Sequence, residues 1–293
     1  MTWWLWLGVG MVALGVLALG LRAVGAMRWA ELVRTHASQL ESGRLDAQGR
    51  LPSPARFDSH ELEGLPAPVQ RYFRAVLTHG QPIIAAATIH MTGSMNLSAT
   101  AEQWKPFASL QRVVTCPPGF LWEARVEMFP GVPACVEDSF IAGQGRLLAK
   151  VFGLFTVADL QGEGEIARGE FMRYFAESPW YPTALLPSQG VRWEAVDDTS
   201  ASASIVDGRI TLRLLFRFND AGLITSVRAE SRGASMGKDG GMVMLPWDCS
   251  LSDYQPQDGM LIPMAGEAAW VRPEGRKVYF VGQVNKLRYV FLP

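Results

Sequence analysis

The helical pattern "IARGEFMRYFAES" carries Glu170, Arg173 and Glu177 at i, i+3 and i+7, on one helix face, with Phe171, Tyr174, Phe175 and Ser178 on another. Two carboxylates around a guanidinium suit two roles. They can be surface ion pairs contributing a few tenths of a kcal/mol, or Arg173 and Glu177 can face a ligand. The stretch that follows adds Trp180, Tyr181 and Trp193, stiffened by Pro179, Pro182 and Pro187. Aromatic side chains offer large contact area at low entropy cost, so the stretch fits recognition better than catalysis; no nucleophile is paired with a base. It is either a binding lip over a cavity or a rigid plug on a core. Glu194 completes the charged candidates.

Other chemistry leaves fainter marks. His36 and His60 fall in a linker region, His79 at a helix end and His90 on a polar strand face, none with a partner visible in the sequence. Each reads as solvated or hydrogen-bonded structure. The chain has no GxSxG, HExxH, Walker or GxGxxG pattern. Glu194 with Asp197 and Asp198 reads as an exposed turn rather than a divalent-ion site. Cys116, Cys135 and Cys249 are widely spaced, without CxxC or a histidine at ligand spacing, and read as three free buried thiols in preference to one disulfide with a thiol left over. No metal or cofactor is therefore expected. A net charge of −1 gives no footprint for nucleic acid.

The elements that would position these residues are mostly strands. Ile83 to Ser98 alternates an apolar with a mostly polar face, and its length calls for a bend or bulge near Gly93. "GFLWEARVEM" repeats the pattern, and "FIAGQGRLL" reads as a hairpin. Asp207-Gly208 between two strand runs suits a type I′ turn. Ile210, Leu212, Leu214, Phe216 and Phe218 then share a face. Ten to twelve antiparallel strands are expected, with helices near 66–78 and 168–178. A sheet of that size must curl to bury its apolar face. The predicted fold is mainly β: a curled antiparallel half-barrel with a few covering helices, plus one N-terminal transmembrane helix.

That helix is the clearest signal in the chain. "WWLWLGVGMVALGVLALGL" has no charged residue, and about 20 apolar residues span a ~30 Å hydrocarbon core. Trp3, Trp4 and Trp6 suit an aromatic belt. No basic residue precedes the run, whereas Arg22, Arg28 and Arg34 follow it. This favours an uncleaved anchor over a signal peptide, in the inner membrane, with the following domain in the cytoplasm. Residues 1–27 are read as the anchor, 28–64 as a juxtamembrane helix and linker, and 65–293 as the β domain.

The blocks "LPAPVQRYFRAVL", "PGFLWEARVEMFPGVP", "FGLFTVAD", "RGEFMRYFAESPWYPTALLP" and "PWDCSLSDYQPQDGMLIPMAGEAAW" together resemble a bacterial membrane-anchored family of unknown function, over most of residues 65 to 290. A looser similarity is to the periplasmic lipoprotein carriers, through "SDYQPQDGMLIPMAGEAAW". That resemblance implies a half-barrel with helices in its mouth, and no activity. The leading expectation is a membrane-tethered module binding an apolar or amphipathic, lipid-like ligand on the concave face. Trp122, Val126, Leu212, Leu214 and Phe216 would form the floor, and Arg173, Glu177, Trp180, Tyr181 and Trp193 the rim. The alternatives are a scaffold subunit of a membrane complex, and a hydrolase or isomerase using Glu177, Arg173 or Glu194.

Overall fold

The computed structural model of the protein describes residues 3–46, 54–98, 101–235 and 241–293. Residues 47–53 of the expected linker lie outside the described residues.

Thirteen antiparallel strands form one sheet: β1 (Ile84–Asn96), β2 (Trp104–Val114), β3 (Gly119–Phe129), β4 (Val132–Ile141), β5 (Gln144–Val151), β6 (Phe155–Gly162), β7 (Arg192–Asp197), β8 (Ser200–Asp207), β9 (Ile210–Phe218), β10 (Ile224–Ser235), β11 (Met242–Gln257), β12 (Met260–Arg272) and β13 (Gly275–Phe291). The first and last strands pair at the centre, giving the order β6-β5-β4-β3-β2-β1-β13-β12-β11-β10-β9-β8-β7. Among the described residues the edges β6 and β7 are not joined, so the sheet is open. The chain between those two edge strands forms helix α3 (Glu165–Ala176) and three short helical turns between Ser178 and Gln189. Helix α3 packs on β4–β6 of one arm and on β9 and β10 of the other, so the sheet curls around it.

The strand count exceeds the expected ten to twelve for physical reasons. The inward residues of β2 include Ser109 and Gln111, which blurs its alternation. Strand β6 is an edge with exposed residues on both faces, so it has no buried stripe to detect. The bulge expected near Gly93 falls at His90/Met91. The β8–β9 turn also differs. Asp207 pairs with Ile210, so the loop residues are Gly208 and Arg209. Of these only Gly208 has positive φ, +54°, the II′ pattern rather than I′.

The two faces of the sheet carry separate cores. On the concave side, helix α2 (Ala67–Val76) contributes Val69, Tyr72, Phe73 and Val76 to the main cluster, joined by Phe57 and Leu62 from the preceding segment. On the convex side lies helix α1 (Trp3–Asp46). Its later turns bury Trp29, Val33 and Leu40 against Val114, Leu121 and Leu148. Along β3, Phe120 and Trp122 enter the main core while Leu121 enters this second one, the period of two expected of a sheet covered on both faces. The N-terminal part of α1 is exposed, and the helix is long and apolar enough to cross a membrane.

The position of α1 fixes which end of the sheet lies nearest its apolar part. Arg22 Nη1 donates to the Gly131 carbonyl at the β3–β4 turn, 2.7 Å away. Gly25 lies against Phe152 in the β5–β6 turn, whereas Leu40 reaches Gly119 at the opposite end of β3. The apolar segment therefore projects from the end of the sheet bearing the β3–β4 and β5–β6 turns.

Candidate functional site

Helix α3 is enclosed on nearly all sides, which overturns the reading of its charges as surface ion pairs. Phe171 stacks on Phe140 with centroids 4.9 Å apart, and Phe175 meets Phe216 edge-on at 5.6 Å. Glu170 is itself buried. Pro179 stops the helix, because the residue before proline avoids the α region.

Arg173 is the hub of the buried charges. Its Nη1 donates to Asp138 Oδ2 at 2.7 Å and its Nε to Glu177 Oε1 at 2.8 Å. Gln111 Nε2 donates to the other Glu177 oxygen at 2.6 Å. The guanidinium also lies 4.7 Å from the Trp122 ring centroid and 5.1 Å from that of Phe120, a cation–π arrangement worth more out of water than in it. Burial opposes the charge on Arg173, but Glu177 and Asp138 outweigh it and hold the group protonated. Burial raises the Asp138 carboxyl against the pull of Arg173. Glu170, with no comparable partner, is pushed up to about 8, first by burial and then by the Asp138 charge.

Below the C-terminal end of α3 the packing leaves a cavity of ≈ 80 Å³, several times the space one water needs. Its walls are Trp122, Trp180, Trp247, Leu251, Phe280 and Met95, and its polar edge is Arg173, Glu177, Asp138, Arg232, Glu267 and Tyr279. Trp247 donates to the Tyr279 hydroxyl at 2.9 Å, and Tyr279 stacks on Trp270, so this wall is one connected aromatic unit. Met95, Arg232 and Tyr279 all lie near the strand ends on the side from which the apolar helix projects.

Four of the residues singled out from the sequence line this cavity: Trp122, Arg173, Glu177 and Trp180. The rest lie elsewhere. Tyr181 is fully buried, with its hydroxyl donating to the Tyr174 carbonyl. Trp193 packs on Phe216 and Phe73, and its indole donates to the Leu185 carbonyl at 3.0 Å. Leu212, Leu214, Phe216 and Val126 belong to the filled core rather than an open floor. Glu194 is exposed and pairs with Arg213. The Pro/Trp stretch is thus mainly a plug. Thr183 Oγ1 accepts from Ile84 N at 3.0 Å and the Trp180 carbonyl accepts from Tyr289 at 2.6 Å, which ties the plug to β1 and β13.

Two residues of the cavity gave little sign in the sequence. Asp138 faces inward because it pairs with Trp122 across β3–β4. Arg232 would face outward if the alternation of Val227 and Ala229 continued. Between Ala229 and Arg232, however, β10 advances three residues against two in β11 (Trp247 to Leu245), and the bulge turns Arg232 inward. His36 lies on α1 rather than in a linker, and it is hydrogen-bonded structure as expected, its Nδ1 2.7 Å from the buried Glu137. Among the described residues no group of three or more His, Cys, Asp or Glu is placed to hold a metal ion.

No curated protein matches the sequence. Several solved structures are similar at low level, two of which illustrate the likeness. One is a LolA superfamily protein from Nitrosomonas europaea, at 10% identity and TM-score 0.37, covering 78% of this chain and 96% of that one. The other is a β-barrel-like protein of the domain of unknown function DUF1849 from Brucella abortus, at 12% identity and TM-score 0.21, covering 71% of this chain and 98% of that one. Likeness of this degree says nothing about a ligand. The family comparison is decisive, since its model matches residues 63–289: the chain belongs to DUF6920, a family of unknown function.

Proposed function

We propose that this protein is a membrane-tethered binding module that takes an amphipathic, lipid-like ligand at the cavity under α3. The observation that carries the reading is the cavity itself, lined by aromatic and aliphatic side chains with a few polar groups among them, the usual composition of a small-molecule site. The filled concave face narrows the ligand. A cavity of ≈ 80 Å³ accepts one end of an amphiphile, and the remainder must leave through the mouth.

The placement relative to the apolar helix supports a membrane source for such a ligand. Phe129 and Phe155, 64% and 61% exposed, stand beside the turns that hold α1. With Lys105 over the Phe129 ring at 5.0 Å and Arg22 between the turns, this end pairs apolar tips with basic groups, as a surface resting on headgroups would. The arginines after the apolar run, Arg22, Arg28 and Arg34, favour the cytoplasmic side of the inner membrane for the domain; a reporter fused after Pro293 that is active only outside the cytoplasm would reverse that side.

The test is to purify the full chain in a sugar-headed detergent and record native mass spectra after releasing the micelle. A small molecule retained at one per chain, and lost in Trp180→Ala with the circular dichroism unchanged, is the expected result. An empty wild-type protein, or retention unaffected by that substitution, contradicts it.

A further inference from the structure

We propose that the cavity binds the anionic head of its ligand, a phosphate or carboxylate, between the guanidinium of Arg232 and the indole N–H of Trp180. This rests on reading the cavity as a ligand site.

Arg232 is only 8% exposed. It is held by shape rather than by pairing. Its guanidinium carbon lies 4.3 Å from the Trp247 centroid and 5.9 Å from that of Trp270. Its Nε would stand 3.6 Å from a methyl group built at Gly169, ordinary van der Waals contact, so the side chain runs alongside α3. Among the described residues Arg232 makes no hydrogen bond or ion pair, whereas Arg173 on the same cavity is paired with Asp138 and Glu177. An Arg fork with five donors, stacked on aromatic faces and left unpaired, is arranged for an oxyanion.

Trp180 supplies the second donor. Its Nε1–H is buried without a partner, a state that is costly and calls for an explanation. The ring is fixed: its Cζ2 lies 3.3 Å from where a methyl group at Gly266 would be, and its backbone carbonyl is bonded by Tyr289. Both donors therefore line one cavity and lack an acceptor. Asp138 Oδ1 is the complementary orphan, an acceptor, and would meet a P–OH or a ligand hydroxyl. The acidic neighbours attract Arg232 without an ion pair to it: Asp138 and Glu177 are bonded to Arg173, Glu267 pairs with Arg276 at 3.2 Å, and the carboxyl of Glu170, the remaining neighbour, is pushed up by burial.

The experiment uses the full chain in dodecyl maltoside micelles and measures dissociation constants by saturation-transfer NMR on the alkyl protons of hexyl phosphate and of uncharged hexyl glucoside. Inorganic phosphate serves as competitor. Hexyl phosphate is expected to bind wild type, with Kd raised at least tenfold by Arg232→Met and several-fold by Trp180→Phe, which keeps the ring and removes the N–H. Arg232→Lys should fall between wild type and Arg232→Met, and thermal unfolding of each variant confirms folding. Hexyl glucoside should bind all four proteins alike. Weak displacement by inorganic phosphate makes the head group part of an amphiphile, while displacement as potent as that by hexyl phosphate itself makes the source a free phosphate at the same donors. An unchanged Kd for hexyl phosphate in both Arg232→Met and Trp180→Phe overturns the inference. If hexyl glucoside still binds in that case, the ligand-site reading survives; if neither alkyl probe binds wild type, both fall.

Discussion

The guanidinium of Arg173 lies 4.7 Å from the centre of the Trp122 ring, so α3 meets β3 through a cation on an aromatic face. That contact sits within a set of buried charges whose members depend on one another. Arg173→Met would leave Asp138 and Glu177 buried without their partner, and breaking a buried pair in this way costs about 3–5 kcal/mol. Thermal unfolding of the full chain in micelles should show a large fall in Tm. Removing both carboxylate charges as well, with Asp138→Asn and Glu177→Gln, should restore most of it, since the loss arises from uncompensated charge.

Stability should also depend on pH through Glu170. Its carboxyl is pushed up to about 8 by burial and by the Asp138 charge, against an ordinary 4.5. Between those values the folded chain holds a proton that the unfolded chain releases. Stability is therefore greatest on the acid side and falls as pH rises through this window, by at most ~1.4 kcal/mol per pH unit. Asp138, raised by burial, acts in the same direction. In Glu170→Gln, Tm plotted from pH 5 to 8 should be markedly flatter than in wild type.

Helix α1 docks through a glycine contact that admits no side chain. A methyl group at Gly25 would stand 2.0 Å from the Phe152 carbonyl oxygen, and one at Gly153 would stand 2.6 Å from the Gly25 carbonyl. Gly25→Leu should lift the helix from the β5–β6 turn and expose the chain near Trp29 to protease, while Gly20→Leu, with nothing nearby, should digest like wild type.

The two hairpin tips should touch lipid. An environment-sensitive fluorophore on Phe155→Cys, in the full chain reconstituted into bilayers containing anionic lipid, should emit to the blue of the same label on Asp220→Cys, which sits in the β9–β10 turn at the other end of the sheet. Equal emission at both positions would contradict a membrane-facing end.

Much of this fold was legible in the sequence because burial repeats. The period of two in Ile83 to Ser98 and in Ile210 to Phe218 marks strands covered on one face, and the apolar run from Trp3 shows as a long helix. What escaped detection lacks such a repeat. Strand β6 buries neither face, and the inward face of β2 carries Ser109 and Gln111. The site was half legible for the same reason. Arg173, Glu177, Trp122 and Trp180 stand out by type and spacing, but whether a Trp/Pro stretch plugs a core or borders a cavity depends on contacts with β1 and β13, about a hundred residues distant. Arg232 was hidden by the bulge, which changes its face without changing its neighbours in sequence.

The most direct test of a ligand in the cavity leaves the protein in its native membrane. A benzophenone amino acid replacing Met95, on the cavity wall, is irradiated in cells and the full chain is analysed by mass spectrometry, with the same replacement at the exposed Phe155 as the bilayer control. The account predicts one discrete small-molecule adduct at position 95, distinct from the mixed membrane-lipid adducts at 155. No adduct at 95, or the same lipid mixture at both positions, would contradict it.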